Sequence, residues 1–169
     1  MSSTVHHIEL ARERDATGIA AMSRRLIEAG LPPSWPPERV LGHIRRADSV
    51  VLAHRREGCI AGFAIMQFGD TRAHLNLLAV EPRCQRSGIG RALIHWLEDT
   101  ARVAGTFTIT LELRAGNAAA RRFYERLGYC ESGRQAGYYQ RLEDALTMMR
   151  DLRVSSEGRG PQASRARAG

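Results

Sequence analysis

Residues 77–93, LLAVEPRCQRSGIGRAL, carry the reading of this chain: an apolar strand runs into a glycine loop and from there directly into a helix. The strand covers 74–80, with Leu75, Leu77 and Ala79 on one face by β alternation, and Glu81-Pro82 ends it because proline has no N–H for a ladder. Ser87 can cap a helix from Gly88 to about Ala104, whose Ile89, Leu93, Trp96 and Leu97 form an apolar stripe. Such a junction suits phosphate. Gly88 and Gly90 remove side chains, so loop and first-turn N–H groups can converge on a pyrophosphate at the positive helix end, with Arg83, Arg86 and Arg91 adding charge. A Rossmann fingerprint is disfavoured, since its third glycine would stand where Leu93 stands and it should follow the first strand of the fold.

Upstream, a strand spans about 5–10, Asp15 caps a helix carrying Ile19, Met22 and Leu26 up to Gly30, and a second helix starts at Pro37 with Val40, Leu41 and Ile44 on one side. Prolines bar the segment 31–37, LPPSWPP, from helix, so Trp35 sits on a loop, either as a lid over the core or as a substrate contact. Apolar runs at 49–53 and 60–68 flank a polar turn at 55–58, and with a turn at 70–72 and the strand at 74–80 they predict a three-stranded meander. Downstream, Gly105 stops the long helix, and Phe107, Ile109, Leu111 and Leu113 alternate with Thr106, Thr108, Thr110 and Glu112, which puts Glu112 opposite the apolar row. Asn117 caps a short helix with Ala120, Phe123, Tyr124 and Leu127 inward and Gly128 at its end, and strands at 129–132 and 145–152 follow. The order predicts one α/β domain over 1–152, a mixed and mainly antiparallel central sheet flanked by helices. Residues 153–169, rich in Ser, Gly, Ala and Arg, read as a disordered basic tail.

Composition narrows the chemistry. The 169 residues, 43% hydrophobic and 25% charged, match an ordinary globular domain. All 25 basic residues are arginine, which excludes a Walker A loop and a pyridoxal Schiff base, both of which need lysine. A net charge of +7 favours anionic partners such as RNA, a ribosomal surface or a phosphorylated cofactor, or else the arginines merely solvate the surface. Cys59, Cys84 and Cys130 are odd in number and lack C-x-x-C spacing, which points to free thiols in a reducing compartment. His6 and His7 would face opposite sides of a strand, so no metal site is expected. No apolar run approaches a membrane span and the start, MSSTVHHIEL, lacks the pattern of a secretory signal, so a cytoplasmic protein is expected.

Gln85, Gly88 and Gly90 meet the pattern Q/R-x-x-G-x-G/A, with strands before it, a long helix after it, and Asn117 and Tyr124 seven residues apart. In these features the chain resembles the GNAT superfamily of acetyl-coenzyme A dependent N-acetyltransferases, over about residues 5–152. It is similar, more closely, to the ribosomal-protein-alanine N-acetyltransferases through LELRAGNAAARRFYERLGY at 111–129 and GYYQRLEDALTMMRDL at 137–152. The resemblance implies acetyl-coenzyme A as cosubstrate and no metal. It implies that Leu78, Ala79 and Val80 lie along the pantetheine, that Gln85, Arg86, Ser87, Gly88, Ile89, Gly90 and Arg91 surround the pyrophosphate, and that Asn117 lies at the pantetheine or its thioester side. Glu112 is implied as general base and Tyr124 as general acid. The implied partner is an acceptor amine, first of all a protein N-terminus; separately, the net charge and the arginine-rich tail suit ribosome or nucleic-acid contact.

The residues make chemical sense of that reaction on their own. An α-amine of pKa near 7.7–8.0 is roughly 10% neutral at pH 7, whereas a lysine-type amine near 10.4 is neutral about once in 2,500. A carboxylate therefore suffices as base for an N-terminus, and a phenol can protonate a leaving thiolate. Other readings stay open: Glu112 as a solvent-facing strand residue, Tyr124 as a core aromatic, Tyr138 and Tyr139 as acceptor-groove or plain edge-strand aromatics. A small amine (a polyamine, an amino acid or an aminoglycoside) is the second acceptor class. A binding module for nucleic acid or ribosome, without catalysis, is a reading of another kind.

Overall fold

The computed structural model describes residues 5–139, with the backbone alone at 139, and 143–154. Its elements run β1 (Ile8–Leu10), α1 (Ala16–Leu26), α2 (Pro37–Arg45), β2 (Ser49–Arg56), β3 (Cys59–Phe68), β4 (Ala73–Val80), α3 (Ile89–Val103), β5 (Thr108–Arg114), α4 (Ala118–Arg126), β6 (Cys130–Tyr139) and β7 (Glu143–Asp151). The strands form a single sheet in the order β1-β2-β3-β4-β5-β7-β6, antiparallel except where β4 meets β5. The mixed, mainly antiparallel α/β class read from the sequence is therefore the one observed.

Amphipathic helices cover both faces. On one, Leu93, Ile94 and Leu97 of α3 and Tyr124 of α4 pack on Leu75, Ile109, Leu111, Leu146 and Met148. On the other, Ile19 and Met22 of α1 and Val40 of α2 pack on Val51, Phe63, Ile65, Leu77 and Ala79. Truncating one of the fully buried leucines, such as Leu93 or Leu97, would cost about 2–5 kcal/mol. Glu98 of α3 is buried with Arg150 of β7 at 2.6 Å and accepts from the Tyr129 hydroxyl at 3.3 Å, so a charge pair is sealed inside the first core.

Leu75, Leu77 and Ala79, expected on one face, do not share it. Ile65 pairs with Leu77 but Met66 pairs with Leu75, so Asn76 is an extra residue, and this β-bulge turns the two ends of β4 to opposite cores. The hairpin between β2 and β3 is also tighter than read. Glu57 (φ 52°) and Gly58 (φ 80°) reverse the chain within two residues, leaving Arg55 and Arg56 in the strand.

Both expected serine and aspartate caps act elsewhere. Gly88, with φ 81°, occupies the N-cap of α3, while the Ser87 hydroxyl donates to the Cys84 carbonyl. Asp15 precedes α1 at the end of a short 3-10 turn, yet its carboxylate accepts from the Arg12 amide at 2.7 Å and from Arg55 Nη2 at 2.8 Å, no helix N–H among them. Asn117 does cap α4, accepting from the Ala120 amide at 3.1 Å. Phe107 falls outside β5 and is 38% exposed, since the strand starts one residue later. β6 runs on to residue 139 instead of ending near 132, because β7 pairs with it across two register shifts. The expected tail from 155 onward lies outside the described residues, and Arg153 bonds back to Asp151.

Candidate active site

β4 and β5 pair only over 73–75 and 109–111, after which the Asn76 bulge carries β4 away from its neighbour. Two clefts, of about 840 and 550 Å³, open beside the parted strands, and both are lined by Leu26, Leu78, Asn117, Ala120 and Tyr124. The two clefts therefore adjoin, with Tyr124 on the wall of both.

The larger cleft lies between the start of α3 and α4. Of the expected cofactor residues, Leu78, Ala79, Val80, Gln85, Arg86, Gly88, Ile89, Gly90, Arg91 and Asn117 line it. Ser87 and Arg83 do not; the first is turned to the Cys84 carbonyl and the second sits on the 3-10 turn after β4. Helix geometry leaves the amides of Ile89, Gly90 and Arg91 without intrahelical acceptors, while Ala92 already bonds to the Gly88 carbonyl at 3.0 Å. Arg86, Arg91, Arg122 and Arg126 line the same cleft, and none of the four enters an ion pair among the described residues. Unpaired like charges around open amides suit a polyanion. Arg122 and Arg126 escaped the sequence reading, although their spacing of four on a helix puts them on one face.

The smaller cleft lies on the α1 and α2 side. Glu112, Trp35 and Tyr138 line it, as do His74, Glu28, Arg39 and Arg114, which the sequence reading did not single out. Trp35 is buried in the second core and also lines this cleft, with the Arg39 guanidinium 4.0 Å over its ring. Glu28 organises the loop beneath it: its carboxylate takes the amides of Ser34 and Trp35 and the hydroxyls of Ser34 and Ser23. Arg114 reaches from β5 to the carbonyls of Ala29 (3.0 Å) and Ile27 (3.4 Å), tying the strand to that loop.

Tyr124 is buried between Phe123 and Tyr129, with ring centroids 5.0 and 5.6 Å away, and burial raises its hydroxyl well above the usual phenol range. It therefore keeps its proton at any ordinary pH. The Tyr138 hydroxyl is raised too, by the charge of Glu112, then by burial, then by a hydrogen bond to that carboxylate. Glu112 itself stands exposed on β5, opposite the buried Leu111 and Leu113, as the alternation predicted. The side chain of Tyr139 lies outside the described residues.

Comparison with known proteins follows the same outline. The profile of the Acetyltransferase (GNAT) family matches residues 19–129. The ribosomal protein bS18-alanine N-acetyltransferase of Escherichia coli (strain K12) is 43% identical over 96 residues, 55% of this chain and 65% of that protein, so the chain spans just under two thirds of that relative's length. N-alpha-acetyltransferase RimI of Mycobacterium tuberculosis is 31% identical over 142 residues, 81% of this chain and 87% of that one. The crystal structure of the ribosomal-protein-S18-alanine N-acetyltransferase from Escherichia coli superposes with a TM-score of 0.77 at 30% identity, covering 92% of this chain and 99% of the other. Among the described residues, no helix is long and apolar enough to cross a membrane.

Proposed function

The chain belongs to the GNAT acetyltransferase family, and from that premise we propose that it moves acetyl from acetyl-coenzyme A to the α-amine of a protein N-terminus. The observation that carries the proposal is the adjacency of the two clefts: four arginines without an ion pair among the described residues and open helix amides line one, an exposed carboxylate lines the other, and Tyr124 lines both. Acetyl-coenzyme A fits the first. The backbone at 88–91 is stripped of side chains at Gly88 and Gly90, and Arg86, Arg91, Arg122 and Arg126 would hold its phosphates. Bound there, it supplies an acetyl group activated as a thioester.

The protein's own groups then divide the work. Glu112 takes a proton from the acceptor ammonium so that the nitrogen has a lone pair to attack with. Tyr124 holds its proton firmly and lends it to the sulfur as the carbon–sulfur bond breaks. Burial makes the phenol a weaker acid than in water, so its main service is a hydrogen bond that tightens as charge develops on sulfur. No covalent enzyme intermediate is needed. In this reading the domain spans residues 1–152 and the remainder is an appendage.

A protein terminus is favoured over a polyamine by the balance of charge in the acceptor cleft, where Arg39 and Arg114 offset Glu28 and Glu112. A polycationic acceptor would call for net negative walls. The names of the Escherichia coli and Mycobacterium tuberculosis relatives support the same acceptor class. The test is mass spectrometry of protein N-termini from cells with and without this protein. The expected result is loss of acetyl from a small set of termini. Unchanged termini, together with acetylation of spermidine by the purified protein, would transfer the reading to small amines.

A further inference from the structure

An acceptor ammonium becomes an amide by losing two protons from nitrogen, one before it attacks the thioester and one after. The departing sulfur gains one proton and solvent gains the other. A single carboxylate can take both only if it is emptied between the two steps. His74 lines the same cleft as Glu112.

His74 on β4 lies opposite Thr110 on β5 in the parallel register, two residues before Glu112 on the same face of its strand. Its Nδ1 is 2.9 Å from Thr110 Oγ1, and that hydroxyl points on to the Ala73 carbonyl at 3.5 Å. If the hydroxyl donates to the carbonyl, its oxygen can only accept from the ring, so Nδ1 carries the hydrogen and Nε2 the lone pair. The ring lines the acceptor cleft together with Glu112. Its other strand neighbour, Gln67 on β3, is uncharged. Burial lowers the basicity of the ring and the charge of Glu112 raises it, so at working pH the imidazole is neutral and ready to accept.

We propose that His74 relays the proton that Glu112 takes from the acceptor ammonium, freeing the carboxylate for the proton of the tetrahedral nitrogen. This rests on the acetyl-transfer reading above. Atoms balance: the first proton passes from nitrogen to Glu112 to His74 Nε2 and out to water. The second passes to the emptied Glu112, Tyr124 gives its proton to the sulfur, and the proton on Glu112 restores the phenol.

The relay is needed only while the acceptor arrives protonated. His74→Gln, which keeps a polar side chain that cannot take up a proton, should lower kcat on a short alanine-initiated peptide by about a hundredfold at pH 7, within the usual range for acid–base groups. At pH 9.5, where an α-amine arrives neutral, the deficit should shrink to about threefold, with the KM for peptide unchanged. Thr110→Val, which keeps the imidazole but frees its tautomer, should fall between wild type and His74→Gln at pH 7. Retained stabilisation by acetyl-coenzyme A shows each variant to be folded. Nitrogen NMR of the ring gives a readout apart from activity: Nδ1 protonated in the wild type, and a titration midpoint that drops in Glu112→Gln. A kcat ratio constant from pH 6.5 to 9.5, a loss borne by KM, or an Nε2-protonated ring overturns the relay while wild-type turnover leaves the acetyl-transfer reading standing. A wild type that acetylates no amine overturns both.

Discussion

Gly90 on α3 stands so near Phe123 on α4 that a β-carbon at position 90 would lie 3.2 Å from Cζ of that ring. The missing side chain is what lets the two helices approach at the mouth of the larger cleft. Gly90→Val must push Phe123 aside, and Gly88→Val must hold a β-branched residue at φ 81° with its β-carbon 3.3 Å from His6 Nε2. Both variants should lose most of the thermal stabilisation that saturating acetyl-coenzyme A gives the wild type, a shift predicted by mass action. A full shift in either variant would mean that the cofactor binds elsewhere.

Tyr124→Phe removes a hydroxyl and leaves the ring that packs between Phe123 and Tyr129. Turnover should fall by about 10²–10⁴ with acetyl-coenzyme A affinity nearly unchanged. Because burial holds the phenol protonated, the wild-type rate should show no alkaline limb from this group below about pH 10, the ordinary phenol value. Rates from pH 6 to 10 under conditions where chemistry limits turnover check both statements, and unaltered turnover would reduce Tyr124 to a core aromatic.

Glu112→Gln should lose most activity near pH 7 and recover as the acceptor deprotonates unaided. For an alanine-initiated peptide recovery is expected above about pH 9, and for spermidine only beyond the pKa near 10.4 of such amines. The pH of recovery thus reports the acceptor class. A constant ratio to wild type on both substrates would remove Glu112 from the role of base.

Glu28 anchors the α1–α2 loop beside the smaller cleft. Burial raises its pKa, but the Ser34 amide and hydroxyl, the Ser23 hydroxyl and the Trp35 amide lower it further, so the net shift is downward. A depressed carboxylate contributes stability that is complete above its unfolded value near 4.5 and fades as pH falls through the folded one. Glu28→Gln should therefore cost about 1–3 kcal/mol in urea unfolding at pH 7, with the gap to wild type narrowing below pH 4. Because Ser34 and Trp35 line the acceptor cleft, the same change should raise KM for the peptide more than KM for acetyl-coenzyme A.

What the sequence disclosed was what local signals mark. The alternation around Glu112, the cap at Asn117 and the glycine loop each sit within a few consecutive residues, and each was legible. The bulge at Asn76 was not, because it is defined by which residue of β3 faces it and nothing in HLNLL announces an extra residue. The same slip hid the sorting of Leu75 and Leu77 into opposite cores. β6 was cut short because Ser132, Gly133 and Gly137 lack strand propensity, and pairing with β7 overrides it. His74, Glu28 and Arg39 entered the site from three elements that the chain order keeps apart, so only their assembly revealed a common cleft.

The strands fall into two leaves, β1 to β4 and β5 to β7, hinged along the three residue pairs where β4 and β5 touch. The glycine loop hangs from the first leaf and Glu112 from the second, so the proposed base and the proposed phosphate cradle sit on opposite sides of the hinge. At the far end of the gap, Arg114 braces the second leaf against the carbonyls of Ile27 and Ala29, which belong with the first. The gap is fixed at both ends, by a ladder and by a strut. On the proposed reading, the distance across which an amine meets a thioester is set by this backbone frame, with Arg114 as its strut.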